Sequence, residues 1–224
     1  VTRGDPAGAI DRERRIVTLR SGSLLPYGRL VLATGSRARL LADLPPGLVN
    51  VATLRTAADA QALRERLGSM SSLTVVGGGF IGLEFAATAR SLGKTVTVVE
   101  SAPRLLARAV SPAISEHVLK LHRDAGIEIH LGARIAGHEL EDGAQGRRLA
   151  SIDLDGQRHP VDFLLLGIGA EPETTLAESA GLACDNGIVV DEFMVTSDPA
   201  ILAVGDCTNF PDVTSGRRLR LESV

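Results

Sequence analysis

Between Ile10 and Leu32 apolar positions recur at strand spacing. Arg15-Ile-Val-Thr-Leu19 alternates, Ser21-Gly22-Ser23 turns, and Leu24 to Tyr27 returns. Leu30-Val-Leu-Ala33 is an unbroken apolar run, a short buried strand ending at Thr34-Gly35, and Pro45-Pro46-Gly47 reads as a linker. From Thr56 to Leu67 the period becomes helical, with Thr56 at the N-cap and Ala57, Ala60, Leu63 and Leu67 on one face. Leu73 to Val76 and Thr95 to Val99 are apolar, β-branched runs around an Ala-rich helical stretch from Phe80 to Leu92 that Gly93 closes. Ser111-Pro112 opens another helix, with Ile114, Val118 and Leu121 facing inward and Gly126 at its end. Ile127-Glu-Ile-His-Leu131 alternates as a strand, and runs at 134–140, 147–154 and 161–166 predict a meander turning at Asp142-Gly143 and Asp155-Gly156. Phe163-Leu-Leu-Leu-Gly-Ile-Gly169 reads as a second buried strand ending in glycines. Glu173 to Ala180 is a short helix stopped by Gly181, Gly187-Ile-Val-Val190 is a strand, and Thr196 to Asp206 completes the pattern. Alternating strands and helices predict an α/β fold.

The first run ends where glycines fall at Gly77, Gly79 and Gly82, in GxGxxG spacing between a strand and a helix, and Glu100 ends the next strand. This is the pattern of a dinucleotide-binding unit. Gly77 permits the tight turn, Gly79 lets a pyrophosphate approach the backbone, and Gly82 lets the helix pack closely on the strand. The helix N-terminus offers unpaired N–H groups and positive dipole to the phosphates. Glu100 can accept hydrogen bonds from both adenine-ribose hydroxyls and would repel a 2′-phosphate, which favours NAD over NADP. Arg104 and Arg108 leave a second course open. Either cation within reach of a phosphate would admit NADP, while an arginine after such a strand also serves NAD by lying over the adenine. A second constellation, Thr196-Ser-Asp-Pro-Ala-Ile-Leu-Ala-Val-Gly-Asp206, places an acid at the C-terminal end of a buried strand, where ligands bind in open α/β sheets and where a carboxylate can hold a polyol.

Composition narrows the function classes. The 224 residues allow one or two domains, and 44% hydrophobic with 23% charged residues suit an ordinary globular protein. A net charge of −3, no basic cluster and few aromatics argue against nucleic acid. No apolar run has the length of a membrane helix, so no membrane partner is expected. Cys184 and Cys207 form no CxxC or CxxxxC, which removes a vicinal redox dithiol and a cysteine-rich metal site. They are expected as reduced thiols in a reducing, cytoplasmic compartment. His117 and His122 lie five apart on a helix and diverge, so no metal is expected, and Ser36 lacks the G-x-S-x-G context of a hydrolase nucleophile. Val1 in place of Met is read as an interior start, so the chain is expected to be a piece of a longer protein.

Taken jointly, Leu30-Val-Leu-Ala-Thr-Gly-Ser-Arg37, Leu54-Arg55-Thr56, Gly77 to Glu84, Pro103-Arg104-Leu-Leu-Ala-Arg108, Gly167-Ile-Gly169, Thr196 to Cys207 and Arg220-Leu-Glu-Ser-Val224 span essentially the whole chain. This combination resembles the two-dinucleotide flavoprotein reductases, and more narrowly the NADH-dependent ferredoxin reductases of bacterial oxygenase and P450 systems. The resemblance implies a Rossmann-like NAD domain, 49–166, inserted in an incomplete FAD-type domain made of 1–48 and 167–224. The family's N-terminal FAD fingerprint and C-terminal domain are not in this sequence. It further implies FAD and NADH as cofactors, hydride transfer between them, and single-electron transfer to an iron–sulfur ferredoxin, with no catalytic acid, base or nucleophile from the protein. By the same resemblance Asp206 binds the FAD ribitol, Arg55 supports FAD and Val224 offers backbone to the flavin, with Thr34, Gly35, Gly167, Ile168 and Gly169 at the cofactor-facing strand ends. Read alone, Arg55 is a solvated charge. Glu84 and Glu222 are implied near the nicotinamide carboxamide, and Phe80 and Ile81 beside its ribose, though Phe80 also suits a core. Glu84 sits on an apolar helix, where burial without a partner would be costly. Other readings are an NADH oxidase, a rubredoxin reductase, a nitrite-reductase-like flavoprotein, or an NAD-binding module without activity.

Overall fold

The computed structural model describes residues 2–221. These divide into two compact units, one of 2–37 with 170–221 and the other of 38–169. The stretch 38–48 lies with the second unit, because Leu41, Leu44 and buried Leu48 join a cluster with Val99, Leu164 and Leu166. Pro45-Pro46-Gly47 therefore belongs to a strap packed on that unit, where the sequence suggested a linker. No helix among the described residues is long and apolar enough to cross a membrane.

The second unit is built on a five-stranded parallel sheet in the order Val51–Thr53, Phe163–Leu166, Ser72–Val76, Thr95–Glu100, Glu128–Leu131. Its inner strands read as continuous apolar runs because both faces are covered. Successive side chains alternate between two cores. Leu73, Val75, Val96, Val98, Phe163 and Leu165 face the cluster that includes Leu63, Leu83 and Ala86 from the helices Ala57–Leu67 and Phe80–Ser91. Val76, Val99, Leu164 and Leu166 face a cluster shared with Leu149, Ile152 and Leu154 of an antiparallel meander.

That meander differs from the sequence expectation. Its strands are Ile135–Gly143, Gly146–Leu154 and Gln157–Pro160, and the run at 161–166 is not its third member. Phe163–Leu166 has no polar alternate and satisfies its backbone and side chains only inside the parallel sheet, whereas Gln157-Arg-His-Pro160 is polar enough for an edge. The first hairpin closes at the Gly143–Gly146 pair, beyond Asp142-Gly143, with Gly146 at φ +122°. The second turn is the expected Asp155-Gly156, both residues at positive φ (52° and 86°), as a two-residue hairpin requires. Buried Asn50 joins the two layers: Nδ2 donates to the carbonyls of Leu149 (2.8 Å) and Asp162 (3.0 Å), and Oδ1 accepts from Leu149 N–H at 2.8 Å.

Helix Ala57–Leu67 starts in a capping box, with Thr56 Oγ1 accepting from Asp59 N–H and the Asp59 carboxylate accepting from Thr56 N–H at 2.8 Å. Of the expected inward face only Leu63 is buried and Leu67 half-buried, while Ala57 and Ala60 are exposed. Helix Pro112–Asp124 is also turned from expectation. Ile114 and Leu121 are 51% and 53% exposed, and Ser115, with half-buried Val118, Leu119 and His122, takes the inner face. Ser115 decides the rotation, because its hydroxyl bonds the carbonyl of Leu105 at 2.6 Å.

The first unit holds an antiparallel sheet (Ala7–Asp11, Ile16–Leu19, Leu24–Pro26), a parallel pair (Leu30–Leu32 with Ile201–Ala203), and a small sheet of Ile188–Val189, Thr208–Pro211 and Arg218–Leu219. Ile10, Val17, Leu32, Ile188, Ile201, Ala203 and Cys207 share its core with Ala177 of helix Thr175–Ser179.

His159 Nε2 lies 3.1 Å from the hydroxyl of buried Thr74, and burial lowers its pKa below the usual histidine value, with Glu128 opposing and His130 adding to the shift. A proton therefore binds the unfolded chain more readily than the folded one. His159 contributes stability that is full above its unfolded value and lost as pH falls through the lowered folded value. Replacing His159 with Gln should flatten the fall in urea midpoint between about pH 7 and about pH 5; an unchanged slope would place the acid sensitivity elsewhere.

Candidate functional site

The glycine turn is shaped by close backbone approach. A Cβ built on Gly77 would lie 2.4 Å from the carbonyl oxygen of Gly167, and one on Gly82 would lie 2.4 Å from that of Gly77. No side chain fits at either position, so strand Ser72–Val76, helix Phe80–Ser91 and the end of strand Phe163–Leu166 meet through bare backbone. Gly77 also takes φ +108°. Gly79 is different. Its φ of −84° suits any residue, and a Cβ there would meet nothing nearer than the Gly167 oxygen at 4.0 Å. It is the N-cap of the helix, and no side chain caps the first-turn N–H groups. The turn thus keeps room and donors for an anion where a side chain would otherwise have stood.

Glu100 faces this turn. Its Oε2 accepts from Gly78 N–H at 2.6 Å and its Oε1 from Ala102 N–H at 2.7 Å and Ser101 Oγ at 3.4 Å, which leaves a lone pair on Oε2 for a further donor. Gly78, which the motif spacing does not single out, has its own reason to lack a side chain. A Cβ there would lie 2.6 Å from Leu105 Cδ2 and 3.0 Å from Glu100 Oε2.

The two arginines take different places. The Arg104 guanidinium is bound within its own segment: Nη1 donates to Val110 O and Ser115 Oγ, both at 2.8 Å, and Nη2 to Ala107 O at 2.6 Å. Three of its five N–H donors therefore close the 104–110 turn. Arg108 is exposed, with Nη2 3.6 Å from the Cβ position of Gly169, at the C-terminal end of the sheet. Gly167 packs against Gly77 and Gly82, Ile168 is half-buried and Gly169 is exposed. Phe80 and Ile81 open the helix 45% and 40% exposed, so Phe80 is not a core residue. Glu84 is exposed as well. Its carboxylate stays in solvent, and the burial argument for a partner falls. Arg55 is exposed, next to the capping box.

In the first unit Asp206 is buried, 5% exposed, in the short 3-10 turn after strand Ile201–Ala203, and its Oδ2 accepts from Ser36 Oγ at 3.1 Å. Gly205 precedes it at φ +80°. Thr34 and Gly35 are held by Glu173. Thr34 Oγ1 donates to its carbonyl at 2.5 Å, and Gly35 O accepts its N–H at 2.9 Å. Hydrogen bonding from Thr175, then from Arg37, lowers the pKa of the Glu173 carboxyl. Ser36 and Glu173 carry no sequence signal for these places, since their partners lie 170 and 139 positions away. Glu222 and Val224 lie outside the described residues.

With this geometry in hand, comparison with known proteins is direct. The family model for pyridine nucleotide-disulphide oxidoreductases matches residues 2–222. Putidaredoxin reductase of Pseudomonas putida is 44% identical over 99% of this chain and 53% of its own length, and rhodocoxin reductase of Rhodococcus erythropolis is 41% identical over 100% and 52%. The ferredoxin reductase for the CYP199A2 system from Rhodopseudomonas palustris superposes with a TM-score of 0.90 at 44% identity, covering 98% of this chain and 54% of that one. The chain spans about half the length of the curated relatives it matches. A glycine turn with one open position, an acid folded onto it and a family match along nearly the whole sequence agree: the chain belongs to the pyridine nucleotide-disulphide oxidoreductase family.

Proposed function

We propose that the protein containing this chain is an FAD-dependent NADH:ferredoxin reductase. The observation that carries the reading is Gly79, the one glycine of the fingerprint whose missing side chain leaves open space, at an uncapped helix end beside the Glu100 carboxylate. Gly79 and the N–H groups of Phe80, Ile81 and Gly82 would hold the NADH pyrophosphate, and Glu100 the adenine-ribose hydroxyls. Gly167, Ile168, Gly169, Phe80 and Ile81, with Glu84, would border the nicotinamide half, and Arg108 lies beside Gly169 at that end. Asp206 would bind the FAD ribitol, with Thr34 and Gly35 as further FAD contacts. This assigns the NAD domain, expected at 49–166, to the unit 38–169, and the FAD-type pieces to 2–37 and 170–221.

When bound, the nicotinamide supplies a hydride and the flavin accepts it and releases the electrons singly. The chain's own residues bind, orient and discriminate. The acceptor we assign is an iron–sulfur ferredoxin, in line with the named relatives. A rubredoxin–NAD(+) reductase of Ectopseudomonas oleovorans, 40% identical over 98% of the chain, makes rubredoxin the second candidate. A cytoplasmic location goes with this reading. In the full-length protein, NADH should bleach the visible flavin absorbance, and ferredoxin should reoxidise it faster than rubredoxin does. A colourless protein that still binds NADH would reduce the chain to a binding module.

Three substitutions follow. Gly79→Val should lower the unfolding temperature only modestly, by the loss of a favourable N-cap, since its Cβ meets nothing nearer than the Gly167 oxygen at 4.0 Å, yet weaken NADH binding about 100-fold by occupying the phosphate position; wild-type affinity by calorimetry would remove the pyrophosphate from this turn. Glu100→Ala should weaken NADH about tenfold and narrow its advantage over NADPH, and titration of both nucleotides with an unaltered preference would end the ribose assignment. Asp206→Ala in the full-length protein should purify without flavin; full flavin occupancy would overturn the polyol role.

A further inference from the structure

Gly78 is gripped on both sides. Glu100 Oε2 accepts its N–H at 2.6 Å, and Leu106 N–H donates to its carbonyl oxygen at 2.9 Å. A peptide group is planar and trans, so holding the Gly78 oxygen fixes the direction of the Gly79 N–H in the same plane. That N–H belongs to the one glycine of the fingerprint facing open space. Leu106 therefore aims a donor it does not itself carry.

Leu106 cannot do this from relaxed backbone. Its φ is +53°, in the left-handed region that a branched side chain disfavours, and it is buried. Its carbonyl oxygen accepts from Ala109 N–H at 2.9 Å and Val110 N–H at 3.2 Å, and Arg104 reinforces this turn from outside. The three bonds of its guanidinium, to Val110 O, Ser115 Oγ and Ala107 O, close the segment on both sides of Leu106. Ser115 is 3% exposed and bonds the Leu105 carbonyl in turn, which ties the segment to helix Pro112–Asp124. Leu105, fully buried, packs against Gly78.

We propose that Arg104 is a positioning residue of the dinucleotide site. By reinforcing the 104–110 turn it steadies Leu106 in its left-handed conformation, and through the Leu106 N–H and the Gly78 carbonyl it orients the Gly79 N–H toward a diphosphate. The role rests on the dinucleotide reading of the turn. It differs from a charge contact with the cofactor, because the guanidinium works through backbone several residues away.

The test compares Arg104→Met, which keeps the apolar stem without the donors, with the unmodified protein, both at full length. NADH affinity is measured by calorimetry well below the unfolding temperature, and the Gly79 amide resonance is followed by two-dimensional NMR without nucleotide. The expected result is a rise in the NADH dissociation constant of about tenfold, with the Gly79 resonance displaced and unfolding still cooperative. Ser115→Ala, which removes one of the three bonds, should move both readouts the same way by less. A purely structural arginine would lower the unfolding temperature and leave both readouts alone. An NADH dissociation constant within about twofold of the unmodified protein, or an unmoved Gly79 resonance, overturns the proposal whatever the unfolding temperature does. Should Arg104→Met fail to fold, Ser115→Ala decides by the same readouts. An unmodified protein that binds no NADH overturns the nucleotide assignment instead, and the Gly79 resonance then decides the positioning role alone.

Discussion

Three backbones meet at one corner of the parallel sheet with no side chain between them. Gly77, Gly82 and Gly167 approach so closely that a single Cβ on Gly77 or Gly82 would sit 2.4 Å from a carbonyl oxygen. This contact sets how deeply helix Phe80–Ser91 seats on strand Ser72–Val76, and so where the helix N-terminus opens. Close packing of this kind cannot be bought back by a flexible neighbour, because the obstructing atoms are main chain. The open position at Gly79, the acceptor geometry of Glu100 and the aim of the first-turn amides all descend from it.

Elsewhere in the same unit, buried and half-buried polar groups fix register where apolar packing alone would allow slippage. Asn50 serves as a short extra strand between the meander and the sheet, satisfying a donor and two acceptors with one amide. Asp162 receives the N–H groups of Ser71 and Ser72 at the start of the nucleotide strand. Arg104 and Ser115 do the same for the loop that follows Glu100. Each is costly to leave half-made, which makes the arrangement specific as well as stable.

The two units divide the chemistry by carboxylate. Glu100 is half-buried on a glycine turn and keeps acceptor capacity beside an anion-favouring helix end. Asp206 is buried at a strand terminus with a serine hydroxyl on one oxygen. Under the proposed function the first would hold a ribose next to a diphosphate and the second a neutral polyol. In the proposed reaction neither would need to transfer a proton, since the cofactors would carry the redox chemistry and the protein would orient them.

Much of this was legible from the chain. Periodicity located the helices from Thr56 and Ser111, because capping chemistry is local, and the glycine spacing with Glu100 located the nucleotide turn, because that motif encodes a local βαβ geometry. The family resemblance was legible for the same reason, its motifs being short and contiguous. What the sequence left undetermined depended on partners far along the chain. Phe163–Leu166 reads equally as the end of a meander and as a strand of the parallel sheet, and only the two-sided burial between Val51–Thr53 and Ser72–Val76 decides it. Glu84 lies on an apolar helix by pattern, but which side of that helix meets the sheet is a tertiary fact, and it leaves Glu84 in solvent. Arg104 reads as a charge near a phosphate, and only the fold shows that Ala107, Val110 and Ser115 take three of its N–H donors. Sequence specifies elements whose stabilising contacts lie within a few residues; the fate of a side chain that can satisfy itself in more than one way is set only when distant backbone arrives beside it.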